Sequence, residues 1–168
     1  MTATFHQIRR EPPWAGWRSL VAFLTLSYGV AAVSGLVTAD NIPTWYQGLH
    51  KPPFNPPNWL FGPVWTALYG MIAFAGWRLW RRRTRATAQA ALIAWTAQLA
   101  LNGAWSFLFF GAHLTGAALI DILLLVAAIV GAIVLSWRAC RTSAALMAPY
   151  LAWVGFATVL NAAIWRLN

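Results

Sequence analysis

Charge of either sign is scarce in this chain: 12 Lys and Arg and 3 Asp and Glu, or 9% of 168 residues. A soluble domain is typically about one-quarter charged, so these few ionic groups cannot cover a water-facing surface. Cysteine is scarcer still. The single Cys140 excludes an internal disulfide, and His6, His50 and His113 are too scattered to suggest a metal cluster. No Walker loop, Gly-rich nucleotide fingerprint or Ser/His/Asp spacing is present. Conventional catalysis therefore has no visible machinery. The alternation of polar and apolar residues that marks a membrane β-barrel is missing as well.

What is abundant is apolar length. Hydrophobic residues make up 60% of the chain, and they gather in Leu20–Val37, Trp59–Trp77, Ala90–Ala112, Leu114–Trp137 and Ala144–Trp165. Each run approaches the roughly 20 residues that carry an α-helix across a ~30 Å hydrocarbon core. Only one formal charge, Asp121, falls inside them. Backbone groups in lipid must be satisfied within the segment, which makes these runs helices. The sequence thus reads as an all-α integral membrane protein, a five-transmembrane-helix bundle. Helices are expected at about 19–38, 58–80, 88–111, 114–137 and 144–166, with a capping loop at 39–57.

The net charge of +9 is a topology signal rather than a nucleic-acid surface. Arg9, Arg10, Arg18, Arg78, Arg81, Arg82, Arg83, Arg85, Arg138 and Arg141 fall on one side of a five-span arrangement, and only Lys51 and Arg166 on the other. Basic connectors stay on the cytoplasmic side, so the N-terminus is expected in the cytoplasm and the proline-rich connector outside. The first apolar run is longer than the core of a cleaved signal peptide and is expected to be retained.

The chain has 12 tryptophans. Trp14, Trp17, Trp45, Trp59, Trp77, Trp80, Trp137 and Trp165 lie at or beyond span ends, where amphipathic rings sit at headgroup level. Trp45 and Trp59 also bracket the proline connector. Trp65, Trp95, Trp105 and Trp153 fall inside spans, and a buried indole N–H needs a partner that lipid cannot supply. These four rings are expected to face the bundle interior, either as core or around a ligand. Treating successive helices as antiparallel hairpins places Thr66, Asn102, Asp121 and Asn161 at one depth. An intramembrane Asp is costly and marks either function or a structural hydrogen bond. Here the structural partner would be Asn102 or Asn161. Ala90/Ala94 and Ala100/Ala104 supply the four-residue spacing of small residues that lets helices approach, within the bundle or in a homodimer.

The connector "WYQGLHKPPFNPPNWLFGPVW" (Trp45–Trp65) holds Pro52–Pro53 and Pro56–Pro57, which favour extended polyproline II. It reads as a stiff spacer or as a lid over an aromatic cavity. Its lid residues would be His50, Lys51, Pro52, Phe54, Pro56 and Pro57.

The stretch Trp45–Tyr69 resembles the signature of the TspO/MBR family, the tryptophan-rich sensory proteins and translocator proteins also called the peripheral benzodiazepine receptor family. "LNGAWSFLFFG" (Leu101–Gly111), "ALIDILLL" (Ala118–Leu125) and "PYLAWVGFATVLNAAIWRLN" (Pro149–Asn168) extend the match in order. It covers roughly residues 19–168 and leaves 1–18 as a variable extension. The resemblance implies a five-helix bundle, usually dimeric, in a bacterial cell membrane. It also implies a pocket under the first connector for porphyrins such as protoporphyrin IX, haem-related tetrapyrroles and aromatic drug-like ligands. No obligatory cofactor or metal is implied. Carried over by motif, the central pair is Trp65 and Trp153, which are also the candidate catalytic residues if bound porphyrin is degraded in light. Tyr28, Trp45, Asn58, Trp105, Phe109, Ala157 and Asn161 are the neighbouring ligand-binding candidates. Cholesterol binding is not expected, since "VLNAAIWR" has Ala162 and Ala163 and no tyrosine. Gly103 also stands where many members carry tryptophan. Binding with modulation of tetrapyrrole level, transport or stress response is the leading expectation. Photochemical breakdown of porphyrin and proton-coupled export through Asp121 are the rivals.

Overall fold

Continuous apolar sequence with no polar alternation leaves the backbone one way to satisfy itself, and each run is helical. The computed structural model describes residues 13–168, with side chains from Gly16 onward. Arg9, Arg10, the Trp14 side chain and most of the expected 1–18 extension lie outside the described residues. The helices are α1 (Pro13–Asn41), α2 (Phe61–Trp80), α3 (Ala86–Ser106), α4 (Thr115–Ala139) and α5 (Arg141–Leu167). All five are long and apolar enough to cross a membrane.

Packing closes a ring. α1 lies on α2, α2 on α5, α5 on α4, α4 on α3, and α3 returns to α1, while α2 and α3 also touch across it. Side chains that reach carbonyls on neighbouring helices pin this order. Trp95 Nε1 donates to the Ile72 carbonyl at 2.8 Å, Ser143 Oγ to Ala75 at 3.1 Å, and Tyr28 Oη to Thr66 at 2.9 Å. Ile72, Trp95, Ile129, Met147 and Tyr150 form the core between them, none more than 2% exposed. Gly76 leaves room for two rings from neighbouring helices, because a Cβ there would sit 2.6 Å from Trp95 Cε2 and 2.7 Å from Phe23 Cδ1. α1 is the least embedded. Only 11% of its span is buried, against 33% for each of the others.

The helix ends depart from expectation at α1. It starts at Pro13 rather than near residue 19, with proline in the first turn where its missing N–H costs nothing. At the other end it runs on through a π-helical turn, Ile42–Tyr46, to residue 48. The first half of the expected capping loop is therefore helical. Pro43 cannot donate and crowds the carbonyl one turn back; the wider π turn accommodates it. Asn41 Nδ2 and Thr44 Oγ1 donate to the carbonyls of Val37 and Asp40. α3 ends in a second π turn, Phe107–Gly111. The two turns pack together through Trp45, Tyr46, Phe109 and Phe110. His113, at φ 58° in the left-handed region, stacks on Trp45 at 4.1 Å and bonds Asn41 Oδ1 through Nε2 at 2.9 Å.

Candidate functional site: an aromatic cleft between three helices

A cavity of about 330 Å³ lies between α1, α2 and α3. α1 contributes a strip at helical spacing, including Tyr28, Ala31, Ser34, Thr38 and Ile42. α2 and the short 3₁₀ turn before it (Asn58–Leu60) give Asn58, Phe61, Trp65, Thr66 and Tyr69, and α3 gives Asn102, Trp105, Ser106 and Phe110. Tyr28, Asn58, Gly62 and Thr66 are exposed, so the cleft reaches the outer face of the bundle between α1 and α2. A second void of about 20 Å³ lies behind it, lined among others by Phe109, Phe156, Ala157 and Asn161. Phe61, Trp105 and Phe110 border both spaces and form the partition.

The candidate binding residues therefore divide. Tyr28, Asn58, Trp65 and Trp105 line the larger cleft, and Trp105, Phe109, Ala157 and Asn161 the smaller void. Trp45 lines neither; it packs edge-on against Phe109 at 5.6 Å. Trp153 lines neither as well, and it is not paired with Trp65. Its ring lies 6.2 Å from Phe61 and 5.6 Å from Phe156, and its buried indole N–H has no hydrogen-bond partner. Trp65 instead faces Tyr69 at 5.7 Å and Tyr150 at 6.3 Å. The two rings thus sit in separate aromatic groups, since motif order along the helices does not set the direction a ring takes.

The proline connector is a strap rather than a lid. His50, Lys51, Pro52, Phe54, Pro56 and Pro57 line neither space. The Asn168 side chain grips the His50 backbone twice, at 3.0 Å each, and Phe54 meets Phe156 edge-on at 6.4 Å. Lys51 Nζ donates to the carbonyls of Gln47 and Leu49 and lies 4.9 Å from the Tyr46 ring centre. The strap is thus fastened to the end of α5. The end of α1, through Ile42, and Asn58 bound the cleft at this level.

The single polar layer also needs correction. Thr66 and Asn102 share the cleft, but Thr66 Oγ1 donates to its own helix at Gly62. Asn161 bonds Trp105 Nε1 and the Thr115 carbonyl, a level about six residues from Asp121. Asp121 Oδ2 is buried with no hydrogen-bond partner. Asn102 is held by tyrosines that the sequence reading passed over: Tyr69 Oη donates to its Oδ1, and its Nδ2 donates to Tyr150 Oη at 2.9 Å. Tyr69 stands four residues after Trp65, on the same helix face, and that spacing was the available signal.

Such a cleft, with aromatic walls and a few polar atoms at its inner end, favours flat, mostly apolar ligands with one or two hydrogen-bonding groups. Among the described residues no cluster of His, Cys, Asp or Glu could hold a metal ion.

Residues 21–166 match the model of the TspO/MBR family. The chain is 38% identical to the human translocator protein, covering 94% of this chain and 92% of that one. It is 40% identical to the tryptophan-rich protein TspO of Archaeoglobus fulgidus, over 89% of this chain and 96% of the relative. Identity to the tryptophan-rich sensory protein of Cereibacter sphaeroides is 32%, over 90% and 92%. With five apolar helices in a closed ring, the chain is an integral, multi-pass membrane protein and belongs to the TspO/MBR family.

Proposed function

We propose that the protein is a membrane receptor or carrier that takes porphyrins and related tetrapyrroles into the α1–α2–α3 cleft, modulating their level or movement in stress responses. The observation that carries this reading is the wall itself, where Phe61, Trp65, Tyr69, Trp105 and Phe110 surround about 330 Å³. Such a volume is at the low end for ligand sites, which run to roughly 300–1,000 Å³. A macrocycle would place one edge here and project between α1 and α2. Stacked aromatic pairs add about 0.5–1.5 kcal/mol each beyond area burial, and aromatic drug-like molecules would use the same surfaces. The names translocator and sensory protein among the relatives fit a binding role. Titrating the purified protein with protoporphyrin IX should give saturable tryptophan quenching that is largely lost in a Trp65→Phe/Trp105→Phe double variant. An unsaturable signal, or an unchanged curve in the double variant, would overturn the reading.

A second reading, light-dependent porphyrin breakdown, draws on Trp65, whose ring is within 6.3 Å of both Tyr69 and Tyr150. These are oxidisable neighbours for an excited ligand, with dioxygen as the terminal electron acceptor. Illumination of the complex would then yield a new absorbing product that Trp65→Phe abolishes; an unaltered spectrum rejects it.

The membrane we assign is a bacterial cell membrane, with Arg78–Arg85 and the α4–α5 turn in the cytoplasm. A homodimer is assigned to the outer face of α3, where Ile93 is 73% exposed and Ala100 and Ala104 offer a small-residue surface.

A further inference from the structure

The arginine-rich side of the bundle has almost no countercharge of its own. Of the three acidic residues in the chain, Asp40 lies at the far end of α1 and Asp121 within α4. Only Glu11 belongs to this side in sequence. Topology asks for cations here but not for their grouping. Ser143 Oγ, bonded to the Ala75 carbonyl, ties the start of α5 to α2. One turn further along α2, Arg78 Nη2 reaches Thr142 Oγ1 at a long 3.4 Å, and its buried Nε has no hydrogen-bond partner. Arg82 follows after another turn, its Nη1 donating to the Arg78 carbonyl at 3.1 Å. Arg141 opens α5 beside Thr142, and the first turn of α5 holds no acidic residue. Arg141 therefore adds charge to a helix end that is already positive. Guanidiniums gathered in this way repel one another until an anion joins them.

The depth of that anion is set by tryptophans. The Arg141 guanidinium lies 5.7 Å from the ring centre of Trp137, that of Arg83 4.7 Å from Trp80, and that of Arg81 5.3 Å from Trp77. Trp77 is itself fastened, its Nε1 donating to the Gly16 carbonyl at 2.9 Å. Indoles at span ends sit at headgroup level, so the cations over them do too. The connectors are short: residues 81–85 separate α2 from α3, and Cys140 alone separates α4 from α5. These cations cannot project far beyond the membrane surface, as binding to a soluble polyanion requires. A lipid phosphate already lies at their depth.

We propose that Arg78, Arg82 and Arg141 form a headgroup site for an anionic glycerophospholipid where α2 ends and α5 begins. Guanidinium forks match the paired oxygens of a phosphodiester, and the headgroup supplies the negative charge that the chain lacks. The site stands at the other end of α2 from the proline strap, so it does not depend on what the aromatic cleft binds.

Phosphatidylglycerol with a fluorophore on its acyl chain is bound to the full chain in neutral detergent micelles and followed by anisotropy. Unlabelled phosphatidylglycerol should displace it at least about fivefold more effectively than phosphatidylcholine of the same chains. The preference should shrink as salt rises. Arg78→Gln/Arg82→Gln/Arg141→Gln should abolish it, whereas Arg81→Gln/Arg83→Gln/Arg85→Gln, which removes equal charge, should retain most of it. Arg141→Gln alone, at an exposed position, should lower it by about twofold. No preference in the wild-type chain, an unchanged preference in Arg141→Gln, or equal losses in the two triple variants overturns the site. Equal losses would assign the effect to diffuse surface charge. Inorganic phosphate should displace the probe no better than chloride at matched ionic strength; stronger displacement would give the site to a soluble anion and overturn the lipid assignment.

Discussion

Trp105 and Asn161 meet across the bundle, the indole Nε1 of one donating to Oδ1 of the other at 3.0 Å. Asn161 is itself anchored, its Nδ2 donating to the Thr115 carbonyl at 2.8 Å. The contact fixes the ring that separates the larger cleft from the smaller void. Asn161→Ala orphans both groups and should cost about 1–2 kcal/mol, in the range of hydrogen bonds between membrane helices. Thermal denaturation in detergent measures it, and an unchanged midpoint would show that the partition is held by packing alone.

Gly76 is predicted to be intolerant of even one methyl. Gly76→Ala drives Cβ into the rings of Trp95 and Phe23 and should cost about 1–3 kcal/mol, as overpacked cores do. Gly29→Ala, where a Cβ meets nothing within 4 Å, serves as the control. Equal melting temperatures for the two variants would contradict the close approach of α1, α2 and α3.

Asn168→Ala should loosen the strap without unfolding the bundle, since it removes the two bonds to His50. Faster amide exchange over residues 49–57, with a stability change below about 1 kcal/mol, is the expected pattern. Unaltered exchange there would mean that Phe54 and the prolines hold the segment unaided.

Cys140 lies in the turn between α4 and α5. Burial raises its thiol, but contacts with Ser143 and Arg78 and the charge of Arg82 outweigh this and bring it down to about 7. The folded value is thus below the ordinary 9.0, so the folded state favours the thiolate. That contribution to stability is complete above the unfolded value and lost as pH falls through about 7. Stability should rise from pH 7 to 9 relative to Cys140→Ser, as read by denaturation midpoints. Parallel profiles for the two proteins would discount the Arg78 and Arg82 contacts.

The five spans were legible because hydrocarbon thickness and backbone satisfaction leave little freedom in length or type. Four of the helices begin and end within a few residues of expectation. The end of α1 was not legible, because Pro43 reads as a helix stop and nothing local announces a π turn that admits it. Depth arithmetic placed Asn102 and Thr66 correctly on one wall and Asn161 wrongly with Asp121. It carries no information about rotation around the helix axis, nor about how far a tyrosine reaches. Motif order, which named Trp65 and Trp153 together, is equally silent on which way each ring turns. Ser34, Thr38 and Tyr69 went unnoticed for a different reason, since small hydroxyls and a lone tyrosine look like ordinary helix surface until three helices converge on them.

The opening of the cleft between α1 and α2 changes what its contents compete with. At that depth the rival occupant is an acyl chain rather than water, and moving an apolar molecule from one greasy phase to another gains little from solvent release. Discrimination must come from shape and from the few polar atoms at the inner wall. Apparent affinity will therefore shift with the detergent or lipid chosen, as in any exchange between two solvents.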